Sequence, residues 1–281
     1  MEIIEGKYSG FCNGVSFTIE KAKELLLQHG NIYCLGEIVH NENIIKELEQ
    51  MGMITINSLE EIPKNNKVIF RAHGEKKEIY EQAKNKNIEI FDLTCGKVRL
   101  VHKKIEKHND SFVIIIGKHN HPEVIGHTGY CDSYLVIQNK NDLQDLKTKI
   151  DQSNKDKIYI VAQTTFNVLE FEELISLIKD IFKNKEIIID NTICNATHDR
   201  ASEVIELSKK VDKMIIVGGK NSSNTKELFE LSKENCDTIL IQEKEDLDDI
   251  SFSKIGKVGL MGGASTPRSI LDEIIKYLKK Y

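Results

Sequence analysis

Six cysteines stand singly at positions 12, 34, 95, 131, 194 and 236, without a C-x-x-C pair or a zinc-finger spacing. A lone intracellular cysteine ordinarily serves as a small buried hydrophobe, and Cys34, Cys131 and Cys236 are read that way. Cys12, Cys95 and Cys194 differ, because each follows a strand-like run: EIIEGKYSGF, IEIFDLT and EIIIDNTI. Their separations of 83 and 99 residues resemble the 87 residues from Cys194 to the last residue. The spacing implies three comparable units with one thiol each, although no repeat of sequence accompanies it.

The remaining unusual polar residues also follow apolar runs. His40 comes after YCLGEIV, His73 after VIFRA, and His121 and Glu123 after VIIIGKHN; Thr164 and Thr165 come after IYIVAQ, Ser222, Ser223 and Asn224 after MIIVGGKN, and Ser265 after VGLMGGA. Ligands of open α/β sheets bind at such strand ends, where helix N-termini converge. GGKNSSNTKEL and GGASTPRSIL place small hydroxyls and an amide before a helix, with Pro267 at a plausible first helical position. Each segment alone reads as an N-cap; the two together, with histidines at other strand ends, suggest a diphosphate site built from neutral donors and a few imidazoles. GKHNHPEVIGHTGY could instead bind zinc, but H-P-E-V lacks the i, i+4 spacing of a zincin and Pro122 argues against a helix through His121. A His–Glu pair at a strand end more naturally gives a proton donor with a partner. His29, His102, His108 and His198 read as helix-surface residues.

Residues so placed need strands ending beside helix starts. Short β-branched runs, such as NIYCLG, KVIFRAHG, YLVIQ, TILIQ and those already quoted, alternate with amphipathic stretches: VSFTIEKAKELLLQ, NIIKELEQM, FEELISLIKDIF, SEVIELSKKV, TKELFELSKE and PRSILDEIIKYLKK. Near-continuous apolar strands between helices imply parallel sheets covered on both faces, hence the α/β class. About a dozen strands suit one large open sheet or several sheets of three to five.

The balance of 39 Lys+Arg against 44 Asp+Glu, a formal charge of −5 in 281 residues, leaves no global basic field for nucleic acid or an anionic membrane. MEIIEGKYSGFCNGV lacks the basic and apolar regions of a secretory leader, and no run of about 18 apolar residues occurs. The expectation is a soluble cytoplasmic protein whose thiols stay reduced.

Nine segments, in order along the chain, then carry a resemblance: GFCNGV (10–15), VHN (39–41), RAHG (71–74), DLTCGKV (92–98), HPEVIGHTG (121–129), QTT (163–165), NTICNAT (191–197), SSN (222–224) and GGASTP (262–267). The sequence resembles 4-hydroxy-3-methylbut-2-enyl diphosphate reductase, the last enzyme of the non-mevalonate isoprenoid route. The resemblance implies three small parallel-sheet α/β domains (residues 13–95, 96–190, and 191–281 plus 1–12) in a pseudo-threefold trefoil. At its centre would lie one [4Fe–4S] cluster, held by Cys12, Cys95 and Cys194, with its fourth iron open. It implies reductive dehydroxylation of the allylic diphosphate to isopentenyl and dimethylallyl diphosphates, with ferredoxin or flavodoxin as electron donor. It also implies His40, His73, His121, Ser222, Ser223, Asn224 and Ser265 as diphosphate ligands, Thr164 orienting the alcohol, and Glu123 relaying a proton to the departing oxygen. Two departures, Leu93-Thr94 before Cys95 and Gly96-Lys97 after it, put loop stiffness and cluster packing in question. Another three-domain enzyme with three cluster cysteines, a zinc hydrolase and a non-catalytic phosphometabolite sensor are the rival readings.

Overall fold

Runs of four to six mostly apolar residues become strands, and the amphipathic stretches between them cover the faces. The computed structural model describes all of residues 1–281. Its strands are β1 (Glu2–Glu5), β2 (Ile32–Leu35), β3 (Met53–Ile56), β4 (Lys67–Phe70), β5 (Glu89–Asp92), β6 (Ser111–Ile116), β7 (Tyr134–Ile137), β8 (Lys157–Ala162), β9 (Glu186–Ile189), β10 (Lys213–Val217), β11 (Asp237–Ile241) and β12 (Lys257–Gly262). They form three sheets of four strands, ordered β3-β2-β4-β5, β7-β6-β8-β9 and β11-β10-β12-β1. Every pairing is parallel. The expectation of several small sheets therefore holds against one large one.

The three sheets share one connectivity. Taken along the chain, the second strand is at one edge, followed by the first, the third and the fourth; β1 completes the last sheet as its fourth strand. The crossover direction reverses between first and third strands, so the switch points lie at β2/β4, β6/β8 and β10/β12. The helices are α1 (Asn13–His29), α2 (Glu42–Gln50), α3 (Lys77–Asn85), α4 (Gly96–Lys107), α5 (Pro122–Thr128), α6 (Leu146–Gln152), α7 (Val168–Ile181), α8 (Asn195–Ser208), α9 (Ser223–Lys233) and α10 (Arg268–Leu278).

Two compact units divide the chain. One comprises Thr18–Ile38 and Leu48–Cys194 and holds the β2–β5 and β6–β9 sheets. Its core is buried on both sides of β6 and β8: Phe112, Ile114, Ile116, Ile158 and Ile160 pack on one face with Phe171, Leu174 and Ile178 of α7, while Val113, Ile115, Tyr159 and Val161 pack on the other with Val101 and Ile105 of α4. The other unit comprises Met1–Phe17, Val39–Glu47 and Asn195–Tyr281. There Ile215, Val217, Val258 and Leu260 meet Leu271, Ile274 and Leu278 of α10, and Met214, Ile216 and Met261 meet Val204 and Leu207 of α8. Pro267, expected inside the first turn of α10, is its N-cap residue instead, with φ −65° and ψ 148°.

Candidate functional site

Each of the three distinguished cysteines follows the fourth strand of a sheet and immediately precedes a helix: Cys12 after β1 and before α1, Cys95 after β5 and before α4, Cys194 after β9 and before α8. The backbone repeats as well. The N–H of Cys12 donates to the Ala264 carbonyl at 3.1 Å, that of Cys95 to Ala72 at 3.0 Å and that of Cys194 to Thr164 at 2.9 Å. In every case the acceptor lies just beyond the adjoining third strand, β12, β4 or β8. A helix start favours negative charge, as on a thiolate ligand. All three thiols are half-buried, whereas Cys34 is fully buried and burial pushes its thiol up to about 12. Cys131 is pushed up to about 12 in the same way. Cys236 is half-buried near the Thr238 hydroxyl, so the fully buried reading holds for Cys34 alone. In residue type and backbone placement these three thiols fit soft ligands of an iron–sulfur group, each standing between a fourth strand and a helix start as the other three do not.

The loops that carry these cysteines are firmly held. Before Cys12, the Glu203 carboxylate accepts from the Lys7 and Tyr8 N–H groups at 2.6 and 2.8 Å, and the buried Arg200 donates to the Gly10 carbonyl at 2.6 Å. Before Cys95, Asp92 accepts from the Thr94 N–H and hydroxyl. Gly96 opens α4 with an open space where a Cβ would stand, and Lys97 is exposed. Neither residue therefore crowds the loop.

The remaining candidates follow strands at the switch points. In the Thr18–Ile38 and Leu48–Cys194 unit, His73 follows β4, His121 and Glu123 follow β6, and Thr164 follows β8. His73 and His121 meet edge to face with ring centroids 5.4 Å apart. His121 caps α5, its Nδ1 accepting the Glu123 N–H at 3.2 Å, so α5 begins at Pro122 and does not run through His121. That geometry makes His121 a neutral Nε2–H donor. Glu123 is buried, and its two carboxylate oxygens accept from the Thr164 N–H at 2.6 Å and the Thr164 hydroxyl at 2.8 Å. Thr165 turns to Gln163 instead, which supports Thr164 as the functional hydroxyl.

The carboxylate's histidine partner is His127, one helical turn on, with Nε2 3.4 Å from Glu123 Oε1 and no exposure. Burial alone would push the Glu123 carboxyl up. The His127 imidazole beside it, together with the Thr164 N–H, outweighs it and holds the carboxyl below its ordinary range. Sequence reading offered His121 for this pairing and missed His127, because the i, i+4 relation becomes visible only once residues 122–128 are known to be helical.

His102, expected on a helix surface, is buried in α4, stacked on Tyr130 at 4.0 Å and edge-on to His127 at 5.1 Å. Gly74, at φ +75°, lets the chain pass this ring: a Cβ there would lie 2.7 Å from His102 Cε1. Burial first, then the charge of His127, pushes the imidazole down to about 3. Below about pH 6.5 the unfolded chain binds a proton that the folded chain refuses, so this residue's contribution to stability falls from about pH 6.5 toward about 3. His102→Phe keeps an aromatic ring on Tyr130. Urea midpoints measured from pH 7.5 to pH 4.5 should therefore fall less steeply in the variant than in the parent, and parallel slopes would contradict the assignment.

In the other unit, Ser222 caps α9 by accepting the Thr225 N–H at 3.3 Å, and Ser223 and Asn224 open the helix, all three buried. Asn224 Oδ1 accepts the Ala264 N–H at 3.0 Å, across the β10/β12 switch point, while its Nδ2 is buried with no protein partner. A buried amide donor left unpaired is costly unless a ligand takes it. Ser265 donates to the His40 carbonyl at 3.3 Å, and Asn41 Nδ2 donates to the Ser265 carbonyl at 2.8 Å. Gly219 permits this close approach, since a Cβ there would lie 2.3 Å from the His40 carbonyl oxygen. Asn41, which also caps α2 through Oδ1, escaped the site reading although it stands in the V-H-N segment.

The family model described as LytB protein matches residues 3–279. 4-Hydroxy-3-methylbut-2-enyl diphosphate reductase of Clostridioides difficile is 35% identical over 283 residues, covering 99% of both chains. The protein of that name from Petrotoga mobilis is 37% identical over 286 residues, covering 100% of this chain and 98% of its own. Among solved structures, the E-1-hydroxy-2-methyl-but-2-enyl-4-diphosphate reductase of Plasmodium falciparum superposes with a TM-score of 0.87 at 32% identity, covering 99% of this chain and 87% of that one. A second, described as (E)-4-hydroxy-3-methyl-but-2-enyl diphosphate reductase, the terminal enzyme of the non-mevalonate pathway, gives 0.73 at 34% identity with full coverage of both. With its three equivalent cysteine-bearing sheets, the chain belongs to the LytB family of 4-hydroxy-3-methylbut-2-enyl diphosphate reductases.

Proposed function

We propose that the chain reduces (E)-4-hydroxy-3-methylbut-2-enyl diphosphate to isopentenyl and dimethylallyl diphosphates in the cytoplasm, using electrons from a ferredoxin or flavodoxin. The observation that carries this reading is the repeated placement of a thiol after every fourth strand and of polar groups after the strands at every switch point. Cys12, Cys95 and Cys194 would hold one [4Fe–4S] cluster with an open fourth iron, in a trefoil of domains spanning 13–95, 96–190, and 191–281 plus 1–12. Such a cluster supplies low-potential electrons and a Lewis-acidic iron for the hydroxyl oxygen. No helix is long and apolar enough to cross a membrane.

The protein's part is position and protons. Ser222, Ser223, Asn224 and Ser265, with His40, His73 and His121, would fix the diphosphate through neutral donors, so that binding energy gained at the anionic end holds the alcohol in place. Thr164 would orient that alcohol, and Glu123 would pass a proton to the departing oxygen. Anaerobic incubation of the purified, cluster-loaded protein with reductant and the hydroxylated diphosphate should give both products. Failure to form either at full iron occupancy would overturn the reading.

Capping and anion binding by Ser222 can be separated. Ser222→Ala loses both roles, with a stability cost of about 0.5–2 kcal/mol for the cap and roughly 1–3 kcal/mol of substrate binding. Ser222→Asp still caps α9 but brings a negative charge to the diphosphate. Its thermal midpoint should match the parent's, and its substrate affinity should fall further than in Ser222→Ala. Unchanged affinity in Ser222→Asp would place the diphosphate elsewhere.

A further inference from the structure

A proton donor must hold a proton when the substrate arrives, and the surroundings of Glu123 do not leave one on its carboxyl. Its two oxygens already accept from the Thr164 N–H and hydroxyl, and His127 Nε2 approaches Oε1 at 3.4 Å. Glu123 and His127 are both buried, at 2% and 0% exposure, so neither exchanges freely with solvent. Neither ring nitrogen of His127 has a hydrogen-bond partner, leaving the Glu123 carboxylate as the polar group facing Nε2. A buried imidazole beside a buried carboxylate is stable as a pair that shares one proton, since two opposite charges, or none, are favoured over a single one.

We propose that His127 is the positioning residue that stores the proton Glu123 delivers, so that the relay runs from His127 Nε2 through the Glu123 carboxylate to the hydroxyl held by Thr164. The overall change is R–OH + 2 e⁻ + 2 H⁺ → R–H + H₂O. The external electron carrier supplies the electrons, the C–O bond breaks, and the pair supplies the proton that leaves in water. The depressed carboxyl of Glu123 agrees with this, because it keeps the carboxylate ionised and able to accept a proton from the imidazole.

The groups around His127 favour the same arrangement. From its own helix come Glu123 and the neutral His121; from α4 come His102, which burial keeps neutral, and Arg99 beyond it; Tyr130 follows the helix, and His73 lies against His121. Glu123 is the carboxylate paired with this ring, so a proton on His127 has an anion at 3.4 Å.

The inference rests on Glu123 as the proton-delivering group, and two variants separate the ideas. His127→Gln can still hydrogen-bond to Oε1 but carries no labile proton; Glu123→Gln removes the acid itself. At matched iron content, His127→Gln should keep its substrate dissociation constant within about twofold, lose about tenfold or more in kcat, and shift the alkaline limb of its kcat–pH profile downward by about one unit or more. Ring ¹⁵N shifts should report which ring nitrogen of His127 carries a proton in the resting protein, and that signature should change in Glu123→Gln. His29→Gln, on an exposed helix end, serves as a control that changes none of these. An unshifted limb in His127→Gln, or a loss confined to substrate affinity, would overturn the proposal while leaving Glu123 in place. Normal turnover in Glu123→Gln would remove Glu123, and with it the relay.

Discussion

Glu123→Gln should lower turnover by about 10²–10⁴-fold, the usual cost of losing a positioned general acid or its relay, while substrate affinity changes little. The reason is geometric. Glutamine preserves the volume of the side chain and its amide can still bond to Thr164, but it cannot pass a carboxyl proton. The Thr164 N–H also donates to the Glu123 Oε1 position, and Thr164's carbonyl accepts from Cys194 N–H, so one residue touches both Glu123 and the strand-end Cys194. Substitution at Thr164 would disturb both, which makes Glu123 the cleaner probe. Single-turnover product formation, compared with equilibrium binding of the diphosphate at matched iron content, gives the answer. Near-normal turnover would exclude the residue from the reaction; lost binding would reassign it to substrate recognition.

Cys95→Ser should lose most of its iron and all turnover above background, because a hard hydroxyl replaces a soft thiolate ligand. The same replacement at Cys131 should retain both, since that thiol is held by burial with its pKa pushed up to about 12 and approaches only the His127 and Thr128 carbonyls. Cys34→Ser should likewise keep iron, its thiol being enclosed and turned to the Gly36 carbonyl at 3.3 Å. The measurement is iron and acid-labile sulfide per chain after anaerobic reconstitution. Full iron in Cys95→Ser, or its loss in Cys131→Ser, would contradict the division of the six cysteines.

The placement of Cys12, Cys95 and Cys194 after strands was legible in the sequence because apolar strand runs are long-range signals written locally: EIIIDNTIC and IEIFDLTCG show a strand and the thiol just beyond it. The strand Met53–Ile56 was harder to see, being four residues immediately after Gly52 with a polar Thr55 in its middle. The buried face of α4 was obscured because its apolar positions, Val98, Val101 and Ile105, are diluted by five lysines and arginines. Helix α5 is seven residues long, starts with proline and contains Gly126, which a periodicity reading treats as a turn. The expectation of a surface His102 and the missed pairing of His127 have one cause, because both rings owe their burial to the packing of α4 on α5. Asn41 and Arg200 were missed for a different reason. Their partners are backbone carbonyls 224 and 190 residues away, a relation that no local pattern records.

If Cys12, Cys95 and Cys194 hold a redox-active iron–sulfur group that binds the hydroxylated diphosphate, the spectrum of that group must respond to the substrate. Anaerobic visible and Mössbauer spectroscopy of the purified protein, with and without that diphosphate, tests metal and ligand in one experiment. The account predicts about four iron per chain, a broad thiolate-to-iron absorption, and one distinct iron signal that shifts on adding the substrate. A colourless zinc protein, or a cluster whose spectrum is indifferent to the diphosphate, would contradict it.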